Sequence, residues 1–339
     1  MISGHGDEYV GELDANFSSN VWYDADNTAL YEYLYSQMQK TARYPETNAA
    51  SLQQLIAQKN EINSNQLIVT NGSTEAFYLI AQSFANSVSM IVTPTFSEYA
   101  DASKMHGHNI LFTNRSNLSM DLEAQNPRLV WICNPNNPDG QCFSKSELIE
   151  RIMKFQRTVF VIDQAYIDFS LTEGFSLSDV DKYPNLIIVQ SLTKRYAIPG
   201  LRLGYLVANK SLVNEIRNNC IPWSVNTLAI AAGKYVLEND TITFPIEEWL
   251  RSSILLQNEI GNLENFEVIT SHTPYFLVKL KNGKASALKE FLLEHKILIR
   301  QATNFEGLEG EYIRICALDN AKNELLISKL NQWNHFILQ

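Results

Sequence analysis

Short apolar runs punctuate the chain between about residues 67 and 207. They fall at 67–70, 90–93, 109–112, 129–133, 158–163, 186–190 and 203–207. Most are near-continuous Val, Ile and Leu, the pattern of strands buried on both faces. Helical spacing fills the gaps. Over 73–84, for example, Phe77, Ile80, Ala81 and Phe84 recur at i, i+3, i+4 and i+7. Alternating strands and helices predict an α/β fold with a mostly parallel, doubly wound sheet. After about residue 225 the pattern changes. One long helical stretch is predicted over 227–263, then β-rich runs at 266–270, 275–280, 297–301 and 312–317, with helices near 285–295 and 322–336. These elements predict a smaller α+β domain. Residues 1–40 lack the βα pattern and are expected to pack with it. The expected division is a large domain over 41–225 and a small one over 1–40 plus 226–339.

Composition narrows the class. The 339 residues are 45% apolar and 19% charged, which excludes a disordered chain, a collagen-like fibre or a coiled coil as the whole molecule. There is no repeat or low-complexity tract. Lys plus Arg total 27 against 37 Asp plus Glu, a net charge of -10, so nucleic acid and anionic membranes are poor partners. No apolar run is long enough to span a bilayer. The first eight residues, Met1 to Glu8, lack a signal-peptide pattern. Cys133, Cys142, Cys220 and Cys316 form no C-x-x-C pair and no disulfide framework. A soluble cytoplasmic protein without a metal site is expected.

In open α/β sheets, ligands bind beyond the carboxyl ends of the strands. The run at 67–70 leads into Asn71-Gly72-Ser73-Thr74-Glu75. These residues suit a phosphate cradle at a helix N-terminus, or an ordinary Ser/Thr cap. The run at 129–133 leads into Asn134-Pro135-Asn136-Asn137-Pro138-Asp139-Gly140, a loop stiffened by two prolines. Asp163 ends a buried run, followed by Gln164-Ala165-Tyr166. It can serve as a helix cap, an ion-pair partner or the holder of a protonated ring nitrogen. Ser191-Leu192-Thr193-Lys194 follows the run at 186–190, and Arg202 lies eight residues beyond the lysine. A lone lysine in a loop is usually only solvated. Hydroxyls, lysine, guanidinium, cradle and interior Asp together suit a phosphorylated aldehyde cofactor. The lysine would form its Schiff base, and the Asp would keep the ring protonated as an electron sink.

From about Tyr44 to the C-terminus these motifs, in order, resemble the pyridoxal-phosphate enzymes of fold type I, in the class I/II aminotransferase group. The resemblance implies pyridoxal 5'-phosphate as cofactor. It implies that Gly72, Ser73, Thr74, Ser191, Thr193 and Arg202 hold the cofactor phosphate and that Phe96 stacks on its ring. Asn137 and Tyr166 would meet the ring hydroxyl and Asp163 the ring nitrogen, while Lys194 would be the Schiff-base lysine. Arg43-Tyr44-Pro45 resembles the family's motif whose tyrosine reaches the phosphate of a neighbouring subunit, which implies a homodimer with shared active sites.

Two branches of the group handle a phosphorylated amine or amino acid. Histidinol-phosphate aminotransferases share the frame. Threonine-phosphate decarboxylases are more similar, through Ser191 to Lys194, Ala197 to Tyr205, Pro222-Trp223-Ser224-Val225-Asn226, Ile297-Leu298-Ile299-Arg300 and His5-Gly6. Arg314 is then the candidate clamp for a substrate carboxylate, as a guanidinium fork suits that anion. Arg300, His5 and Asn20 are candidates for the substrate's phosphate or carboxylate. For both arginines a strand-edge ion pair is the plain alternative. Three departures stand out: Gln164 where the group has Glu, Asp139 where it has Thr, and residues 21–26 in place of a Pro-rich loop. The expected activity is decarboxylation of a small O-phosphorylated L-amino acid of the phosphothreonine or phosphoserine type. The alternatives are transamination of a histidinol-phosphate type substrate and a non-catalytic cofactor-binding domain.

Overall fold

The computed structural model describes residues 11–239 and 244–337. A two-residue strand, β1 (Ala15–Asn16), comes first. The next seven are β2 (Leu67–Thr70), β3 (Val88–Thr93), β4 (Asn109–Asn114), β5 (Leu129–Cys133), β6 (Val159–Asp163), β7 (Leu186–Ser191) and β8 (Gly204–Ala208). They form one sheet in the order β2-β8-β7-β6-β5-β3-β4. Strand β3 runs parallel to β4 and β5, and β6 runs parallel to β5 and β7. Only β8 is reversed, antiparallel to both β2 and β7. The central sheet is mostly parallel, as the apolar runs predict. Trp131, Val161 and Val189 enter one core cluster, while Val130, Phe160 and Ile188 enter the other. With both faces covered, the strands read as continuous apolar runs.

Seven helices accompany these strands: α1 (Thr28–Gln37), α2 (Ala50–Lys59), α3 (Gly72–Ser83), α4 (Glu98–Met105), α5 (Leu118–Gln125), α6 (Lys145–Lys154) and α7 (Lys210–Arg217). The start of α6 shows how locally such elements are specified. Ser144 accepts from the Glu147 N–H, Glu147 reaches back to the Ser144 N–H, and Leu148 and Ile152 turn inward.

The predicted helix over 227–263 is two helices, α8 (Thr227–Glu238) and α9 (Ile246–Gly261). Pro245 sits at the start of α9, where its missing N–H breaks no helical bond. Beyond lie β9 (Phe266–Ile269), β10 (Tyr275–Leu280), α10 (Ala285–Glu294), β11 (Ile297–Leu298), β12 (Arg300–Gln301), β13 (Glu311–Cys316) and α11 (Asn320–Ile337). The run expected as one strand at 297–301 is therefore split. Its first half, β11, pairs in parallel with β1, and its second half, β12, pairs antiparallel with β13. A second sheet results, in the order β12-β13-β10-β9, all antiparallel. The β1–β11 pairing and a bond from the Cys316 N–H to the Phe17 carbonyl (2.9 Å) tie the N-terminal segment to this later part of the chain. Among the described residues no helix is long and apolar enough to cross a membrane, and no group of three or more His, Cys, Asp or Glu is placed to hold a metal.

Candidate active site

A cavity of about 660 Å³ opens where β2, β5, β6 and β7 end. Its first end is built from backbone and hydroxyls. Helix α3 begins at Gly72, and its cap residue Asn71 makes no side-chain cap. By contrast α6, α7 and α8 are each closed by Ser144, Asn209 or Asn226. The first turn of α3 carries no side-chain cap, as in α1, α2, α4, α5, α9 and α10, and here its residues Gly72, Ser73 and Thr74 line the cavity, where free N–H groups can meet an anion. Ser191 Oγ and Thr193 Oγ1 lie 2.8 Å apart and both residues line the cavity. The Arg202 guanidinium lies against Gly72, where an added Cβ would come within 2.5 Å of Arg202 Nη2. Gly72 also has φ +79°, so its backbone favours glycine, whereas the Arg202 side chain could shift away from an added Cβ. Helix N–H groups, hydroxyls and one guanidinium make a donor set that fits a phosphate.

Asp163 stands at the middle, 4% exposed. The Tyr99 hydroxyl donates to its Oδ2 at 2.6 Å, and the Ala165 N–H donates to its Oδ1 at 2.9 Å. Burial pushes its carboxyl pKa up to about 6, with both hydrogen bonds and the Lys194 charge pulling down. A carboxylate so desolvated gains from a cationic partner, and a protonated ring nitrogen supplies one. Lys194 Nζ lies 5.6 Å from the centre of the Tyr166 ring. Burial raises the pKa of the Tyr166 phenol and keeps it a neutral donor, although nearby Arg314 opposes the shift. Phe96 lines the same cavity, edge-on to Phe77 and Tyr99 at 6.4 and 6.0 Å. Phosphate cradle, aromatic wall, buried acid and lysine together fit pyridoxal phosphate.

The other end is built from distant parts of the chain. Arg314, on β13, is 6% exposed. Its Nη1 donates to Asn137 Oδ1 at 2.5 Å and its Nη2 to the Ser18 carbonyl, while its Nε has no partner. Burial lowers its pKa, and no Asp or Glu carboxylate is among the groups acting on it. The expected alternative of an ion pair is therefore absent at Arg314 among the described residues. Asn20 is buried on the cavity wall with its side-chain amide beside the Tyr166 phenol. Arg300 sits directly across the β12–β13 register from Arg314. It does not line the cavity, and donates to the Gln301 carbonyl and Asn304 Oδ1 over the Phe305 ring. Tyr44 is also outside this cavity, 83% exposed and packed on Trp223 at 5.1 Å. His5 lies outside the described residues.

The Asn-rich loop divides its roles. Asn134 bonds both backbone groups of Phe143, and Asn136 donates to the Pro94 carbonyl and to Asp139, leaving Asn137 to the cavity. Asp139 also accepts from the Gln141 N–H, so the departure there closes the turn. Gln164 clamps Phe175, donating to its carbonyl at 3.1 Å and accepting from its N–H at 2.7 Å. A glutamate could accept but not donate at that place. Residues 21–26 are held by the Trp22 N–H on the Lys194 carbonyl (3.1 Å) and by the Trp22 ring on Phe244. Ser18, Ser19 and Val21 line the cavity without any signal in the sequence. The Tyr78–Glu98 pair, bonded at 2.9 Å, also lines it. Glu98 had a signal, two residues after Phe96 in the first turn of α4.

Residues 13–330 match the family Aminotransferase class I and II. The chain is 30% identical to the threonine-phosphate decarboxylase of Salmonella typhimurium over 93% of its own length and 90% of the relative's. It is 31% identical to a histidinol-phosphate aminotransferase of Thermoanaerobacter over 85% and 84%. The crystal structure of L-threonine-O-3-phosphate decarboxylase from Porphyromonas gingivalis superposes with a TM-score of 0.92 at 39% identity, over 94% of this chain and 99% of that one. A matched family across nearly the whole chain, on a site with the donors its cofactor needs, makes this protein a member of the class I and II aminotransferase family and a pyridoxal-phosphate-dependent enzyme.

Proposed function

We propose that this enzyme decarboxylates a small O-phosphorylated L-amino acid of the phosphothreonine or phosphoserine type. The observation that carries the reading is Arg314, a buried guanidinium on the cavity wall with an unpartnered Nε and no carboxylate on it. It needs an anion, and a substrate carboxylate suits its fork. Arg300, across the β12–β13 register but outside this cavity and bonded to Gln301 and Asn304, would have to turn inward to take the substrate's phosphate as a second anion. The similarity to two threonine-phosphate decarboxylases agrees with this choice.

Gly72, Ser73, Thr74, Ser191, Thr193 and Arg202 would hold the cofactor phosphate, and Lys194 its aldehyde carbon. When bound, the cofactor takes up the electron pair released as a bond to the substrate's α-carbon breaks. Asp163 keeps a proton at the ring nitrogen. Asn137 and Tyr166 would donate to the ring hydroxyl, and Phe96 would pack against the ring. Arg314, with Asn20, orients the substrate so that the bond to its carboxylate, not to hydrogen, is the one that breaks. CO2 leaves, and Lys194 Nζ delivers a proton to the α-carbon in its place. In this reading the active unit is a homodimer of two-domain subunits divided near residues 40 and 225. Exposed Tyr44 on Trp223, with exposed Tyr31, Tyr35, Met38 and Ile221, belongs to the contact.

Transamination of a histidinol-phosphate type substrate uses the same residues and is the second reading, favoured by the 31% identity to such an enzyme. Incubation with O-phospho-L-threonine, O-phospho-L-serine and histidinol phosphate tests both. CO2 release without 2-oxoglutarate is expected; turnover that needs 2-oxoglutarate and releases no CO2 overturns decarboxylation.

A further inference from the structure

Tyr99 lies on α4, behind the cavity, and is 1% exposed. Its ring is stacked on Trp131, centroids 5.6 Å apart with 13° between planes, and stands edge-on to Phe77 at 4.8 Å. Trp131 is itself fixed, its Nε1–H donating to Ser89 Oγ at 3.2 Å, and Ser89 Oγ lies 2.8 Å from His108 Nδ1. This packing aims the Tyr99 hydroxyl at Asp163 Oδ2, 2.6 Å away. The other groups facing that carboxylate are the Ala165 N–H on Oδ1, the Cys133 thiol at 4.0 Å, the Lys194 ammonium and the Tyr166 phenol.

A proton between a buried carboxyl and a pyridine nitrogen has two places to sit. On oxygen it leaves a neutral pair; on nitrogen it leaves an ion pair. Burial favours the neutral pair, while every hydrogen bond donated to the carboxylate favours the ion pair. We propose that Tyr99 is a positioning residue that holds Asp163 as the carboxylate, so that the shared proton rests on the ring nitrogen of the cofactor. The inference rests on Asp163 as the ring-nitrogen partner. Burial holds the carboxyl pKa at about 6 even with the Tyr99 and Ala165 hydrogen bonds and the Lys194 charge pulling down, so the loss of the Tyr99 donor shifts the balance further towards the protonated carboxyl.

Tyr99→Phe removes the donor and keeps the stacked ring. In the full chain loaded with 15N-labelled pyridoxal phosphate, the ring-nitrogen resonance should move from the pyridinium towards the pyridine position. In the cofactor-free full chain, the 13Cγ resonance of Asp163 (identified by its loss in Asp163→Asn) should titrate about one pH unit higher or more. A purely structural role for Tyr99 moves neither resonance in that direction. Should Tyr99→Phe fail to fold, 3-fluorotyrosine at position 99, a stronger donor, should move the Asp163 midpoint down. An unchanged Asp163 midpoint, or a ring nitrogen as protonated in Tyr99→Phe as in the wild type, overturns the proposal. An unaltered ring nitrogen in Asp163→Asn tells instead against Asp163 as its partner.

Discussion

The two ends of the cavity are built in opposite ways. The end at Gly72, Ser73 and Thr74, facing Ser191, Thr193 and Arg202, uses short contiguous stretches that each leave a strand end. Its donors are backbone N–H groups, hydroxyls and a guanidinium set close against glycine. The end at Asn20, Asn137 and Arg314 draws on residues up to about three hundred positions apart, and it buries Arg314 with its Nε unbonded among the described residues. One end offers a donor set that fits an anion. The other leaves the Arg314 Nε open to a ligand or water. In the proposed reading, local chain geometry serves the part that would always hold the same phosphate, and long-range assembly the part that would select a substrate.

The strongest test strikes where the ends meet. Lys194→Ala should lower kcat by roughly 10²–10⁴-fold on the proton-transfer role alone. Borohydride reduction of the wild type should fix the cofactor to the peptide containing residue 194. Retention of wild-type turnover in this variant sinks the assignment.

Asp163→Asn should come next, with a loss of roughly 10²–10³-fold in kcat, comparable to removal of another preorganised charged or polar group. The same change should stabilise the cofactor-free chain. With the folded pKa at about 6 and the ordinary value at 3.8, ionisation of Asp163 opposes folding. The penalty is absent below the ordinary value, grows as pH rises towards the folded value, and is complete above it. At pH 8 the variant should therefore be more stable by roughly 1–2 kcal/mol, after allowing for the hydrogen bond an amide NH2 cannot accept. Denaturant melts at pH 4 and pH 8 measure this, and an equal difference at both pH values contradicts the burial argument.

Arg314→Ala and Arg300→Ala probe the long-range end as a pair. The first should reduce kcat/KM for phospho-amino acids about ten- to a hundredfold or more, corresponding to roughly 1.5–3 kcal/mol for charged hydrogen bonds. The second should leave carboxylate binding in place and reduce the preference for phosphoserine over serine by a similar factor. A wild type that uses both substrates equally well removes the second anion altogether. At the contiguous end, Gly72→Ala should weaken cofactor retention, through the Arg202 contact, and cost roughly 1–3 kcal/mol of stability, through φ strain. Thermal melts with and without cofactor separate the two effects.

The smallest effect belongs to Tyr44→Phe. One hydroxyl donated to a phosphate is worth about tenfold in cofactor affinity, provided the residue reaches a neighbouring subunit. Full activity in a monomer contradicts that arrangement.

Much of this architecture could be read from the chain. Continuous apolar runs marked the parallel strands because both faces of the sheet are covered, and residues at the strand ends line the cavity because such sheets open there. Boundaries that depend on partners were not readable. The split at Ile299 exists because β11 finds β1 while β12 finds β13. The break before α9 is different, because Pro245 is a local signal that could have been read within the predicted helix. Ser18, Ser19 and Val21 carry no distinguishing motif, and they line the cavity because β1 ties their segment to residues near 297. Arg300 and Arg314 look alike as sequence. Only packing buries one against Asn137 and Ser18 while the other is held by Gln301 and Asn304 outside the cavity. Patterns repeated every few residues are written in the chain because neighbouring residues decide them. The state of a buried charge depends on atoms hundreds of residues away, and those meet only in the folded molecule.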